Sequence, residues 1–329
     1  MDISQNARLS VAPMMDWTDR HCRAFHRVLS AQALLYTEMV TSAALVRGGA
    51  ARLLDYGEAE HPVALQLGGS DPGELAEATA MAVARGYDEV NLNVGCPSDR
   101  VQSGCFGAVL MERPGLVAEC LRAMGDAAGP VPVTVKCRIG VDDQDPETVL
   151  PDFVARVADA GVTRLTIHAR KAWLQGLSPK QNREVPPLDY SLVHRIKARF
   201  PEMHLSINGG IATLDAAMEQ LDVMDGVMVG RAAYHDPAAI LLRADSRIFG
   251  AVDPCASRVE AVMRMVPHIE AHLAEGGKLG QVTRHMLGLF SGLPGARGWR
   301  RTLSEGATRP GAGLDVLYAA LEQVTERAA

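Results

Sequence analysis

The chain has 329 residues, 47% hydrophobic and 22% charged, with a formal net charge of −6. That length suits one large domain plus a smaller one, and the composition is that of an ordinary globular protein. No apolar run reaches the roughly 18 residues that span a membrane, and the N-terminus MDISQNARLS lacks the basic and apolar regions of a secretory leader. The chain is therefore expected to be cytoplasmic. Its six cysteines form no CxxC pair and no Cys/His cluster with zinc spacing. Neither a disulfide framework nor a metal is expected, and about four of the six should pack as small hydrophobes.

Short β-branched runs alternate with longer amphipathic ones. Strands are predicted at LSVAPM (9–14), LLYTEMV (34–40), PVALQLG (62–68) and EVNLNV (89–94), then at VPVTVKC (131–137), RLTIHA (164–169), HLSINGG (204–210) and GVMVG (226–230). Helices are predicted at 71–86, with Asp71 as N-cap and Gly86 as terminator, and at 114–127, 146–161 and 214–221. Continuous apolar strands flanked by helices mean a parallel sheet covered on both faces. Eight of them predict an α/β chain folded as a (β/α)8 TIM barrel. A doubly wound sheet would want a GxGxxG turn after its first strand, which is missing here. After about residue 245 the β pattern stops, and helices are predicted at 257–275, at 278–290 and near 313–327. The expected organisation is a barrel over 1–245 followed by a small all-helical C-terminal domain over 246–329.

Nearly every predicted strand ends in a polar residue or a glycine, and in a barrel those ends converge on the rim that carries the chemistry. The last two, SINGG (206–210) and VMVGR (227–231), place glycines after strands 7 and 8, where barrels frequently bind a phosphate. Arg231 would add a charge-assisted contact. Lys136 ends a buried strand and needs an anionic partner or a function. Gln66 and His168 occupy equivalent strand ends; a cap for the sheet and a satisfied structural histidine are the plainer readings of each. Taken together, the set forms a pocket for a phosphorylated ring cofactor, and a flavin mononucleotide fits: one phosphate, and a ring that becomes anionic on reduction beside a lysine. Cys96, between Gly95 and Pro97 in NLNVGCPSDR, sits where a strand emerges from the sheet rather than inside an apolar run.

Charge is unevenly spread. Residues 168–201 hold seven Lys/Arg against two acids, residues 278–309 six against one, leaving −16 on the remainder. Two basic surfaces on an acidic body are one expectation, two solvated faces the other.

The stretches APMMDWTDRHCR (12–23), HPVALQLGGSDP (61–72), GYDEVNLNVGCPSDRVQSG (86–104), VKCRIGVDD, IHARKAWLQGLSPKQNREVPPLDY (167–190), SINGGI, GVMVGR and TRHMLGLFSGLPGARGWRR (283–301) resemble the tRNA-dihydrouridine synthases. The 171–190 segment makes the likeness greatest to the bacterial tRNA-dihydrouridine(20/20a) synthase subfamily. The resemblance implies an FMN barrel followed by a helical tRNA-binding domain, reducing a D-loop uridine with electrons from NADPH. It further implies that Ala12, Pro13 and Met14 line the flavin, that Gln66, Lys136 and His168 hold its ring, and that Asn208, Gly209, Gly210, Gly230 and Arg231 hold its phosphate. Cys96 matches the catalytic cysteine. Hydride delivered to C6 of uracil leaves carbanion character at C5, and a thiol of ordinary pKa, ~8.5, is protonated at pH 7 and can quench it. Asn93 and Arg138 would bond the uracil edge, and Lys180, Arg183, Arg297 and Arg300 would meet tRNA phosphates. The implied partner is tRNA, with no membrane and no metal. Cys105 departs from the family pattern, either as a packing residue or as an oxidative partner for Cys96. Three other functions compete: an FMN barrel dehydrogenase of a free pyrimidine, which leaves the helical appendix unexplained; a non-catalytic tRNA-binding protein, which would be colourless; and a phosphate-binding aldolase with Lys136 as Schiff base, which leaves Cys96 and the appendix unexplained.

Overall fold

The computed structural model describes residues 3–98, 101–102 and 104–325. Eight parallel strands close into a barrel in chain order: β1 (Leu9–Val11), β2 (Leu34–Thr41), β3 (Val63–Gly68), β4 (Glu89–Val94), β5 (Val133–Arg138), β6 (Arg164–His168), β7 (His204–Asn208) and β8 (Gly226–Val229), which pairs back onto β1. β1 is shorter than predicted. Pro13 cannot donate to the ladder and Met14 turns back on Thr18, although the Ala12 amide still reaches the Val229 carbonyl at 2.8 Å.

The helices sit where the sequence gives both a start and a stop. The helix Pro72–Arg85 opens on Asp71, whose carboxylate accepts the Glu74 amide, and closes on Gly86 at φ 92°. Pro114–Ala128, Pro146–Asp159 and Leu214–Leu221 follow the predicted pattern to within two residues. Outward-facing residues of the strands, among them Val90, Leu92, Val135 and Ile167, pack beneath these helices in one continuous core. The barrel interior is different. Ala7, Ala12, Leu34, Tyr36, Ala64 and Met228 form a small apolar cluster on one side. Ser10, Glu89, Asn91, Thr134, Arg164, Thr166 and Ser206, all buried, make the rest of the interior polar.

Beyond the barrel lie the helices Arg258–Ala274, Leu279–Thr283, Ala296–Gly306 and Leu314–Thr325; positions 326–327 of the last predicted helix lie outside the described residues. The helix predicted over 278–290 stops at Thr283. Gly288 approaches the His235 carbonyl so closely that an added Cβ would lie 2.3 Å from its oxygen, and Gly292 and Gly295 take positive φ. These requirements break the segment into turns. The segment 292–305, given no element in the sequence analysis, folds from Ala296 onward as a helix. No helix among the described residues is long and apolar enough to cross a membrane. Cys22, Cys120, Cys137 and Cys255 are buried, Cys96 is half-buried and Cys105 exposed, and all six are free thiols.

Candidate active site

Strand register assembles the rim. Gln66 lies opposite Asn91, Asn93 opposite Lys136, Arg138 opposite His168, His168 opposite Asn208, and Asn208 opposite Met228. Gln66, Asn93, Lys136, Arg138, His168 and Asn208 thus stand side by side around the carboxyl end of the barrel. Ala12, next to Val229, closes the circle, with Gly230 within 4.0 Å of Ala12 and Met14 when a Cβ is imagined on it. Pro13 and Met14 continue from Ala12 and are half-buried.

Each side chain has a local reason for its place. Asn93 Oδ1 accepts the amides of Gly95 and Cys96, both at 3.0 Å, and so shapes the turn that lifts Cys96 out of β4. The Cys96 thiol lies 3.5 Å from Ser98 Oγ. Asp99, Arg100 and Ser103 of the same loop lie outside the described residues. Arg138 donates to the carbonyls of Gly95, Lys171 and Asn182 at 3.1, 3.4 and 3.0 Å. Its Nε and Nη1 therefore pin two loops to the rim, and Nη2 makes no hydrogen bond among the described residues. Asn182 is buried in the loop after β6, bonding Trp173 through both amide and carbonyl and also the Leu177 carbonyl. That residue was missed in the sequence, since one asparagine in a loop carries no periodicity.

The charge of the rim is lopsided. Burial, then the neighbouring Arg138 cation, lowers Lys136 to about 8, and its ammonium has no hydrogen bond or ion pair among the described residues. Burial, and then the cations of Arg138, Lys136, Arg170 and Arg183, push His168 well below the ordinary histidine value, so it is neutral. Arg138 is lowered to about 10, mainly by burial. Against these cations the loop presents Glu184, which pairs with Arg231 at 2.6 Å. Arg170 Nε is buried without a partner among the described residues. Behind the β7 and β8 ends, Asn208 Nδ2 donates to the Met228 carbonyl at 2.8 Å. The amides of Gly209, Gly210 and Gly230 then find no acceptor among the described residues. Gly209 and Gly210 have φ of 110° and 73°, and a Cβ on Gly209 would lie 2.7 Å from His168, so only glycine fits there. Tyr190, also missed, fixes the turn by donating to the Gly209 carbonyl at 2.5 Å.

The remaining predicted residues stand outside the ring of strand ends, although the Arg183 cation lies near enough to act on His168 and Arg138. Lys180 and Arg183 are exposed on the loop after β6. Arg297 and Arg300 are exposed on the helix Ala296–Gly306, with no hydrogen bond, ion pair or ring contact to the rim among the described residues. The first basic cluster is also less free than its charge predicts: Arg195 pairs with Glu147, and Lys197 with Asp225 at 2.7 Å, on the outer face of the barrel. Two other concavities, of about 500 Å³ beside Leu242, Arg258 and Phe290 and about 240 Å³ beside Leu121, Pro130 and Val162, share no residue with the rim.

A closed parallel barrel whose carboxyl rim gathers cations, unpaired amides and a half-buried thiol is the layout of a barrel enzyme with an anion-binding site. Its fold resembles the old yellow enzyme homologue from Zymomonas mobilis, with TM-score 0.53 and 14% identity over 70% of this chain and 86% of that one. It resembles morphinone reductase similarly, with TM-score 0.51 and 14% identity over 75% and 86%. The family model for dihydrouridine synthase matches residues 10–327. Two proteins named tRNA-dihydrouridine(20/20a) synthase are close relatives. The one from Vibrio cholerae is 56% identical over 323 residues, 98% of each chain. The one from Escherichia coli K12 is 57% identical over 327 residues, 99% of this chain and 94% of the relative. The chain is an enzyme of the dihydrouridine synthase family.

Proposed function

We propose that this enzyme reduces the C5=C6 bond of uridines 20 and 20a in tRNA to 5,6-dihydrouridine, using FMN bound over the rim and NADPH as electron donor. The observation that carries the reading is the match to relatives of that activity along nearly the whole chain.

The rim fits FMN. A phosphate suits the unpaired amides of Gly209, Gly210 and Gly230 beside Asn208 and the Arg231 guanidinium. A ring with carbonyl and N–H edges suits Gln66, neutral His168 and Lys136, with Ala12, Pro13 and Met14 as its apolar wall. When bound, FMN supplies hydride to C6 of the uracil. Lys136 offers an ammonium, unpaired among the described residues, to negative charge on the ring. Cys96, raised on its turn by Asn93, donates its thiol proton to C5, and the thiolate recovers a proton from solvent. Asn93 and Nη2 of Arg138 hold the base by its polar edge. A uridine reaches this pocket only by leaving its stack.

Phosphates of the folded tRNA are gripped by Lys180 and Arg183 on one side and by Arg297 and Arg300 on the other. In this reading, residues 1–245 carry the flavin and the chemistry and residues 246–329 the tRNA grip, and the work is done in the cytoplasm. The protein is then expected to purify yellow and to release FMN on heating. Release of FAD, or of no flavin, would overturn the cofactor assignment.

A further inference from the structure

Below the rim, a chain of polar side chains runs up the inside of the barrel, and its lower members have no part in the roles above. It begins at Glu89, fully buried and ion-paired with Arg164. Tyr36 donates to Glu89 Oε1 at 2.6 Å, and the Thr134 hydroxyl donates to the same oxygen. Asn91 Nδ2 donates to Thr134 Oγ1, Gln66 Nε2 to Asn91 Oδ1, and Asn93 Nδ2 to Gln66 Oε1, each at 2.8 Å. The chain ends where the Gly95 and Cys96 amides donate to Asn93 Oδ1.

The two ends of an amide have the same shape, so each of Asn91, Gln66 and Asn93 fits its space either way round. Direction must come from groups with no choice. A carboxylate only accepts, so the one hydroxyl proton of Thr134 goes to Glu89, and its oxygen must accept from Asn91. A backbone N–H only donates, so Asn93 must present oxygen to Gly95 and Cys96. Worked upward from Glu89 or downward from Cys96, all three amides take the same orientation. The reverse orientation would set Asn93 N–H groups against two backbone N–H groups and leave buried donors unpaired, at a cost of ~1–3 kcal/mol each.

We propose that Glu89, Thr134 and Asn91 are positioning residues: they fix the amide directions of Gln66 and Asn93, and through Asn93 they hold the turn that carries Cys96. The second N–H of Asn93 is left over from the chain, so the group it meets must be an acceptor, such as a pyrimidine carbonyl oxygen. This ligand-facing part rests on the proposed uridine reduction; the hold on the Cys96 turn does not.

Thr134→Val keeps the shape and cuts the chain between Glu89 and Asn91; Thr134→Ser keeps the hydroxyl. Tyr36→Phe removes the other hydroxyl on Glu89, which lies off the chain. Amide hydrogen exchange at Gly95 and Cys96, read residue by residue in the full-length protein as purified, is expected to speed up about tenfold in T134V and to remain at the parent rate in T134S and Y36F. In parallel, kcat for uridine reduction should fall about tenfold in T134V with the KM for tRNA unchanged, and recover in T134S. Unchanged exchange at both amides in folded T134V would overturn the proposal. So would equal acceleration in Y36F, which would mark general loosening. Should T134V not fold, Thr134→Cys, with its weak S–H donor, faces the same two outcomes. A parent protein that reduces no uridine would sink the functional reading while leaving the exchange test standing.

Discussion

Cys96, on the turn after β4, and Lys136, opposite Asn93 in β5, belong to the same rim, yet their situations differ. Cys96 is half-buried on a turn, its thiol 3.5 Å from Ser98 Oγ. Replacing it with alanine leaves the cation cluster and the glycine turns untouched. Cys96→Ala is therefore expected to retain flavin and NADPH oxidation while dihydrouridine formation drops roughly 10²–10⁴-fold, the range for a lost general acid. Quantifying dihydrouridine in tRNA treated with the variant checks this; near-parent yields would remove Cys96 from the mechanism. Lys136 is a buried cation held at about 8 rather than 10.5. Between those pH values the unfolded chain binds a proton that the flavin-free fold does not, so stability rises with pH across that window. At pH 7 the buried ammonium is a net cost to the empty fold. Lys136→Met should raise the melting temperature of flavin-free protein at pH 7 by a few degrees, with the gain shrinking as pH climbs from 8 to 10.5, and should weaken FMN binding. A lower melting point at pH 7 would contradict the sign.

At the scale of elements, strands were legible because β-branched runs are short and bounded by turn residues, and Asp71 and Gly86 announced their helix outright. The helix Arg20–Leu29 was not, because its buried face carries His21, Arg23 and His26 among Cys22, Phe25 and Leu29. Arg23 is held there by Glu60 at 2.6 Å, a partner 37 residues away that no local pattern displays. At the site, Gln66, Lys136, His168 and the glycines could be read from their place at strand ends. Asn91 had a signal that went unused: it sits two residues before Asn93, on the same face of β4. Asn182 and Glu184 had none, since their partners come from other segments. The helix Ala296–Gly306 buries Trp299 and Leu303 and leaves Arg297, Arg300 and Arg301 exposed, without ion pairs among the described residues. Arg297→Ala with Arg300→Ala should therefore fold normally. It should weaken tRNA binding and flatten its log–log salt dependence by roughly 0.7–0.9 per lost phosphate contact, with flavin content unchanged. Filter binding at several salt concentrations, beside a thermal melt, decides it; an unchanged slope in a folded variant would exclude this helix from the RNA interface.

Over the whole molecule, the helical part is fastened to the barrel beside the rim. Asp19 caps the helix Arg20–Leu29 through the His21 and Cys22 amides and also pairs with Arg284 and with His285 at 3.0 Å. Burial would raise this carboxyl, but the His285 hydrogen bond and charge hold it well below the usual range. His21 meets His268 at 2.9 Å, and Tyr234, stacked on Trp17, reaches His285 at 3.2 Å. These contacts form a seam, with His21 and His285 buried in it, that joins the helix Arg20–Leu29 to the part of the second basic cluster that holds Arg284. The direct test is to incubate the purified protein with NADPH and unmodified tRNA and to map dihydrouridine at single-nucleotide resolution. Dihydrouridine is expected at positions 20 and 20a and nowhere else in the D-loop. Unmodified tRNA after full reduction of the bound flavin would contradict it.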